Sequence, residues 1–220
     1  MKLLRYGMPG KERPGLLDKN GVLRDLSEIV SDIATETLLP ESIDRLRNID
    51  HVTLPKVKGS QRLGPCVGQV GNFICIGLNY SDHCKESGMD VPSEPVIFSK
   101  VTSAICGPDD DVIIPRNAIK TDWEVELGVV IGKPARYVDE KSALDHVAGY
   151  CVINDLSERE FQLERDGQWI KGKSCDTFGP IGPWLVTPDE VGNPQNLDLW
   201  LEVDGKRYQD GNTRTMIFGV

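Results

Sequence analysis

Twelve residues, TDWEVELGVVIG at positions 121–132, place acidic side chains on what otherwise reads as a β-strand. Successive strand side chains point to opposite faces, so Trp123, Val125, Leu127, Val129 and Ile131 share one face and Asp122, Glu124 and Glu126 the other. Carboxylates two residues apart on one face sit roughly 7 Å apart along the chain. At that spacing they repel each other, and they can also hold one hard divalent cation between them. An antiparallel strand with a solvated acidic face accounts for the same twelve residues, and taken alone they favour that simpler reading.

Three further stretches carry groups able to do chemistry. In GLNYSDHCKESG, His83 and Glu86 lie three apart and share a face of a helical turn. A carboxylate beside an imidazole orients it and raises its basicity, a general-base arrangement, although such a pair is more often a surface contact. In YCVINDLSEREFQ, an apolar strand ends in Asn154 and Asp155, and a helix follows with Ser157 as its cap and Arg159 and Gln162 one turn apart. Asp155 there either starts the helix or supplies a third oxygen ligand. In QWIKGKSCDTFGPIGPWL, Lys173 sits in a loop rich in Gly, Ser and Pro, where a lysine is either solvated or, facing a metal site, positioned to stabilise an oxyanion. His51 and His146 have no comparable neighbours and read as structural.

The elements that must hold these groups are mostly strands. Residues 1–65 alternate short strand-like pieces (KLLRYG, PGLLD, GVLRDL) with LSEIVSDIATETL, whose apolar positions recur at helical spacing, and form a small N-terminal α/β lead-in domain. LPKVKGSQRLGP reads as a linker. Residues 66–220 form a second domain of short apolar runs punctuated by Gly, Pro and Asp: NFICIGL, PVIFSKV, SAICG, DVIIP, WEVELGVVIG, HVAGYCVIND, PWLVT and LDLWLEVDGKRY. SEREFQLERD and YSDHCKESG supply short helices. The fold class is α+β, mostly β, a roll or sandwich.

Bulk properties narrow the function classes. The net charge of −9 over 220 residues, with no basic stripe, excludes nucleic acid and anionic membrane as expected partners. A small anionic substrate then needs a local cation. No apolar run has the length of a membrane span and the first residues lack the apolar core of a signal peptide, so a cytoplasmic location is expected. Six cysteines without a C-x-x-C pair read as reduced thiols.

Taken together and in this order, GLNYSDHCKE, VIFSK with TSAICGP, DWEVELGVVIG, YCVINDLSEREFQ and KGKSCDTFGPIGPW resemble the fumarylacetoacetate hydrolase family over nearly the whole chain. The resemblance implies that family's mixed β-roll and a Mg²⁺, Mn²⁺ or Ca²⁺ held by Glu124, Glu126 and Asp155. It assigns His83 and Glu86 to a catalytic pair on a mobile lid, Lys173 to the oxyanion, and Arg159 and Gln162 to substrate binding. Ile76 lies near where founding members carry an extra aspartate ligand, which implies the three-carboxylate subtype. The implied reaction is hydrolysis of a C–C bond in a 2,4-dioxo acid with release of pyruvate. The lead-in MKLLRYG is similar to that of members acting on 2,4-dioxo-3-deoxy sugar acids or ureidoglycolate. Ureidoglycolate lyase, 2-hydroxyhepta-2,4-diene-1,7-dioate isomerase and oxaloacetate decarboxylase chemistry on the same site stand as alternatives, with a non-catalytic binding protein behind them. A homodimer or larger assembly is implied. The family continues through a Gly-Thr-Pro-Pro-Gly motif beyond the point where this chain ends in MIFGV, so the sequence is expected to be part of a longer protein.

Overall fold

The computed structural model describes residues 1–220. The apolar pair in KLLRY makes β1 (Lys2–Tyr6), which buries Leu3, Leu4 and Tyr6. β2 (Arg13–Leu17) pairs with it antiparallel, and β3 (Leu23–Asp25) pairs with β2. After α1 (Pro40–Arg47) come β4 (Phe73–Gly77), α2 (Ser81–Ser87) and β5 (Val96–Lys100), with β4 and β5 forming a two-stranded ribbon. The short β6 (Ile105–Cys106) and β7 (Thr121–Asp122) precede β8 (Val125–Ile131) and β9 (Val147–Asn154). β10 (Ser157–Glu158), α3 (Ile170–Lys173), β11 (Gly179–Val186) and α4 (Pro188–Val191) follow. The chain ends in a hairpin of β12 (Asp198–Val203) and β13 (Lys206–Asn212), whose Asp204-Gly205 turn has both φ angles positive, the geometry that suits the twist of paired strands.

The main sheet runs β3-β2-β1-β11-β9-β8, with β6 added parallel to β11, and strands dominate throughout, so the expected α+β, mostly β roll is observed. The expected division at residue 65 is not a break in packing. Lys2 pairs with Val186 across β1 and β11, and one core cluster joins Leu3, Leu16, Leu26, Ile33 and Leu46 to Cys151, Ile181 and Leu185. The N-terminal strands extend the sheet, and the segment leading through α1 covers one of its faces.

Two sequence expectations give way to local hydrogen bonding. LSEIVSDIATETL forms no α-helix. The Asp32 side chain accepts from the Ile33 N–H and from Arg5, and Thr37 Oγ1 donates to the Asp32 carbonyl, which bends the chain into turns before a 3₁₀ turn at Thr35–Leu38. DVIIP is irregular, because the Ile113 N–H bonds to the Thr177 hydroxyl rather than to a neighbouring strand.

The TDWEVELGVVIG strand also differs in detail. β8 begins only at Val125, and it is the face bearing Glu126, Gly128 and Val130 that looks inward: Val130 packs on the core while Ile131 is exposed. Gly128 lies opposite Cys151, where an added Cβ would stand 2.6 Å from the thiol sulfur, so a side chain there would separate the strands. Glu126 therefore lies on the inward face, and all three acidic residues, Asp122, Glu124 and Glu126, are partly buried. No helix is long and apolar enough to cross a membrane.

Candidate active site

The break in the ladder between β7 and β8 is held open by a side chain. Asn154 Oδ1 accepts from the Glu124 N–H at 3.1 Å, and the Glu124 carbonyl accepts from the Asp155 N–H at 2.8 Å. This exchange aims both carboxylates to one side of the sheet. There, every oxygen of Glu124 and Asp155 meets a cationic donor. Lys173 Nζ donates to Glu124 Oε2 at 2.5 Å and to Asp155 Oδ2 at 2.8 Å. Lys100 Nζ donates to Asp155 Oδ1 at 2.6 Å and to the Leu156 carbonyl at 2.9 Å. Arg159 Nη2 donates to Glu124 Oε1 at 2.5 Å and to Asp122 Oδ2 at 2.8 Å.

These pairings set the charges. Burial alone would raise the Asp155 carboxyl, but Lys100 and Lys173 more than offset it and hold the group below the usual carboxylate range. Burial presses the Lys100 ammonium to a lower pKa, which Asp155 partly counters. Burial likewise works against the Arg159 cation, and Glu124 and Asp122 outweigh it and raise its pKa. Glu126 has no such partner. Burial, then the charges of Glu124 and Asp155, push its pKa up to about 8. The three carboxylates thus share one electrostatic environment without closing into a ligand triad, since Lys173 bridges two of them.

The short helix expected in SEREFQLERD is present as a single wide turn of π type at Glu160–Glu164, which contains Gln162 and is preceded directly by Arg159 in helical conformation. β10 pairs with β7, and the Glu158 carboxylate, without exposed surface, accepts from the Lys120 N–H, the Thr121 hydroxyl and the Glu160 N–H, fixing where the turn starts. Arg159 Nη1 then donates to Gln162 Oε1 at 3.1 Å. The expected loop around Lys173 contains the short helix α3, and Lys173 is buried in it.

His83 and Glu86 lie on α2, the helix expected in YSDHCKESG. His83 lines the cavity of about 960 Å³ that also contains Glu124, Glu126, Asp155, Arg159, Gln162 and Lys173. Glu86 is exposed, outside that lining, and makes no hydrogen bond to His83. The start of α2 is anchored: the Asn79 side chain donates to the Phe218 carbonyl and accepts from its N–H, and Thr215 Oγ1 donates to Asp82.

The family profile described as fumarylacetoacetate hydrolase, C-terminal, matches residues 72–220, which include every residue of this cluster. The chain belongs to the fumarylacetoacetate hydrolase family. A Burkholderia multivorans protein, named as a hydrolase with no substrate given, is 66% identical over 220 residues, all of this chain and 78% of that protein. Fumarylacetoacetate hydrolase from Exiguobacterium antarcticum superposes with a TM-score of 0.82 at 35% identity, over all of this chain and 78% of its own. Maleylpyruvate hydrolase from Sphingobium, solved with manganese(II) and pyruvate, superposes with a TM-score of 0.81 at 25% identity, over all of this chain and 79% of its own.

Within this family member, sequence reasoning missed Lys100, whose side chain is wholly buried against Asp155, and Tyr80, whose hydroxyl is buried in the same cavity without a hydrogen-bond partner. The signal for Lys100 is a lysine closing the apolar strand VIFSK. A strand-end lysine usually reaches solvent, so residue type alone does not reveal it. Phe98 and Trp169, in edge contact at 5.3 Å between ring centres, wall the cavity beside Lys173.

Proposed function

We propose that the protein hydrolyses a C–C bond in a 2,4-dioxo acid of the acylpyruvate type, releasing pyruvate, with a divalent cation held by Glu124, Glu126 and Asp155. One observation carries the reading: the Glu124–Lys173–Asp155 knot opens on the same cavity that His83 faces from another element. The donor set suits a hard cation, being three carboxylates, one of which, Glu126, makes no ion pair and feels the Lys173 charge only as its smallest influence. The manganese and pyruvate bound to the Sphingobium hydrolase support both the cation and the product.

When bound, the cation supplies Lewis acidity toward the carboxylate and 2-oxo group of the substrate. The chain's own residues do the rest. Arg159 and Gln162, locked together by their hydrogen bond, present donors to the substrate's carboxylate end. His83 stands where it can take a proton from water attacking the 4-oxo carbon, and Glu86, one turn on, orients the imidazole once α2 closes over the substrate. Lys173 places its ammonium against the oxyanion that forms; its collapse breaks the C3–C4 bond, and the departing pyruvate enolate takes back at C3 the proton that His83 removed from water. Ile74, Ile76 and Ile97 on the β4–β5 ribbon are exposed, and this apolar surface would be the one that pairs in a homodimer. A monomer mass in light scattering would contradict that assembly.

The test of the activity is a pyruvate-release screen over 2,4-dioxo acids, with and without Mg²⁺ or Mn²⁺. Cation-dependent pyruvate release is expected. No release from any acylpyruvate in the metal-replete protein overturns the reading. Conversion of a dioate substrate without pyruvate release assigns the site to isomerisation instead.

A further inference from the structure

The three cations at the site are not equivalent. Lys100 donates to a backbone carbonyl as well as to Asp155 and has no exposed side-chain surface, so it cannot leave without orphaning Leu156 O. Arg159 keeps Asp122 and Gln162 whatever happens to Glu124. Lys173 has no other hydrogen-bond partner: its ammonium is shared between Glu124 Oε2 and Asp155 Oδ2, and both are candidate ligand oxygens. On its other side lies the Phe98 ring, 5.0 Å away, at the wall of the cavity.

A hard cation binds carboxylate oxygens at about 2.0–2.6 Å. If it took the oxygens that Lys173 contacts at 2.5 and 2.8 Å, the ammonium and the dication would be held about 5 Å apart at most, in surroundings where like charges repel strongly. We infer that Lys173 and the divalent cation compete for the same two carboxylate oxygens, so that loading the site frees the Lys173 ammonium to turn to the substrate. Lys100 remains as the permanent counter-ion of Asp155. This rests on the cation site proposed above and adds a coupling to it: the residue that meets the oxyanion is made available by cation entry. An ordinary supporting residue has the opposite signature, because its removal loosens the ligands and weakens binding.

The experiment measures Mn²⁺ affinity from the electron paramagnetic resonance signal of the free ion, together with thermal unfolding with and without Mn²⁺. The native protein is compared with Lys173→Met and Lys173→Gln. The expected result is affinity at least about 10-fold tighter in both variants. Their melting temperature without Mn²⁺ should fall, and the rise on adding Mn²⁺ should exceed that of the native protein. Variants that fold only with Mn²⁺ also support the competition. Folded variants that bind Mn²⁺ no more tightly than the native protein overturn it while leaving the cation site standing. Variants that fold in neither condition overturn it too, since the cation then fails to replace the lysine. Folded native and variant proteins that all fail to bind Mn²⁺ overturn the cation site itself, and the competition with it.

Discussion

Lys100, at the end of β5, donates to Asp155 Oδ1 across 55 residues of sequence, and both side chains are buried. This contact ties the β4–β5 ribbon to the end of β9, beneath the carboxylates that face the cavity. Removing one partner of a buried pair leaves the other charge without compensation, which costs more than the pair itself contributes. Lys100→Met should therefore lower stability by about 3 kcal/mol in urea unfolding. Adding Asp155→Asn should recover part of that loss, as the two sites are in direct contact. A double variant less stable than the sum of the single losses would show that the pair is not the source.

A second prediction concerns pH. The Arg62 guanidinium, through its hydrogen bond, holds the Asp110 carboxyl below the usual range, and the Gly107 N–H adds to this against the effect of burial. Arg62 also donates to Glu12 and to the Gly7 carbonyl, so the cluster joins the N-terminal strands to the turn after β6. A carboxyl with a depressed folded-state pKa contributes stability above its unfolded pKa of about 4, and that stability is lost as pH falls through the folded value. Asp110→Asn should melt below the native protein at pH 7, with the gap closing as pH drops below about 4. Both partners are partly exposed, so the gap should be modest and should shrink in salt. A gap that stays constant down to pH 2.5 would contradict the linkage.

The residues of the site were more legible in the sequence than the shapes that present them. Carboxylates inside or closing apolar strands single out Glu124, Glu126 and Asp155 as costly patterns that need a reason, but it is the resemblance to the family that assigns them, with Lys173, Arg159 and Gln162, to one site, and all six line one cavity. The His83–Glu86 spacing is helical and α2 is a helix, yet a shared helical face does not bring two exposed side chains into contact. The apolar spacing of LSEIVSDIATETL signalled burial, and Val30, Ile33 and Leu38 are indeed in the core. It did not signal conformation, because Asp32 and Thr37 satisfy the backbone locally. Lys100 was hidden for a different reason: its partner Asp155 is brought near only by tertiary packing.

Packing around Gly172 gives a third test. A Cβ there would stand 2.3 Å from the Glu158 carbonyl and 2.6 Å from the Gln162 N–H, both backbone atoms with no room to yield. Gly172→Ala must push α3 away from the π turn, displacing Lys173 from Glu124 and disturbing Gln162 together. The expected cost is about 2 kcal/mol of stability, typical of overpacking, with activity lost beyond what the stability change explains. Unchanged stability would mean that the two turns are not in rigid contact.

The last prediction separates the lid from the platform. His83 is on α2, whereas the carboxylates are fixed by β8, β9 and the Asn154 exchange, and no hydrogen bond joins the two groups. Replacing His83 with Ala removes the proposed base without touching the ligands, so kcat should fall by about 10²- to 10⁴-fold while Mn²⁺ affinity is retained. Glu124→Gln keeps the shape but removes a charge that Lys173 and Arg159 share, so Mn²⁺ affinity and turnover should fall together. Mn²⁺ titration and pyruvate release measured on both variants make the comparison. If His83→Ala lost the cation as severely as Glu124→Gln, or kept full turnover, the division between a fixed carboxylate platform and an acid–base helix would be wrong.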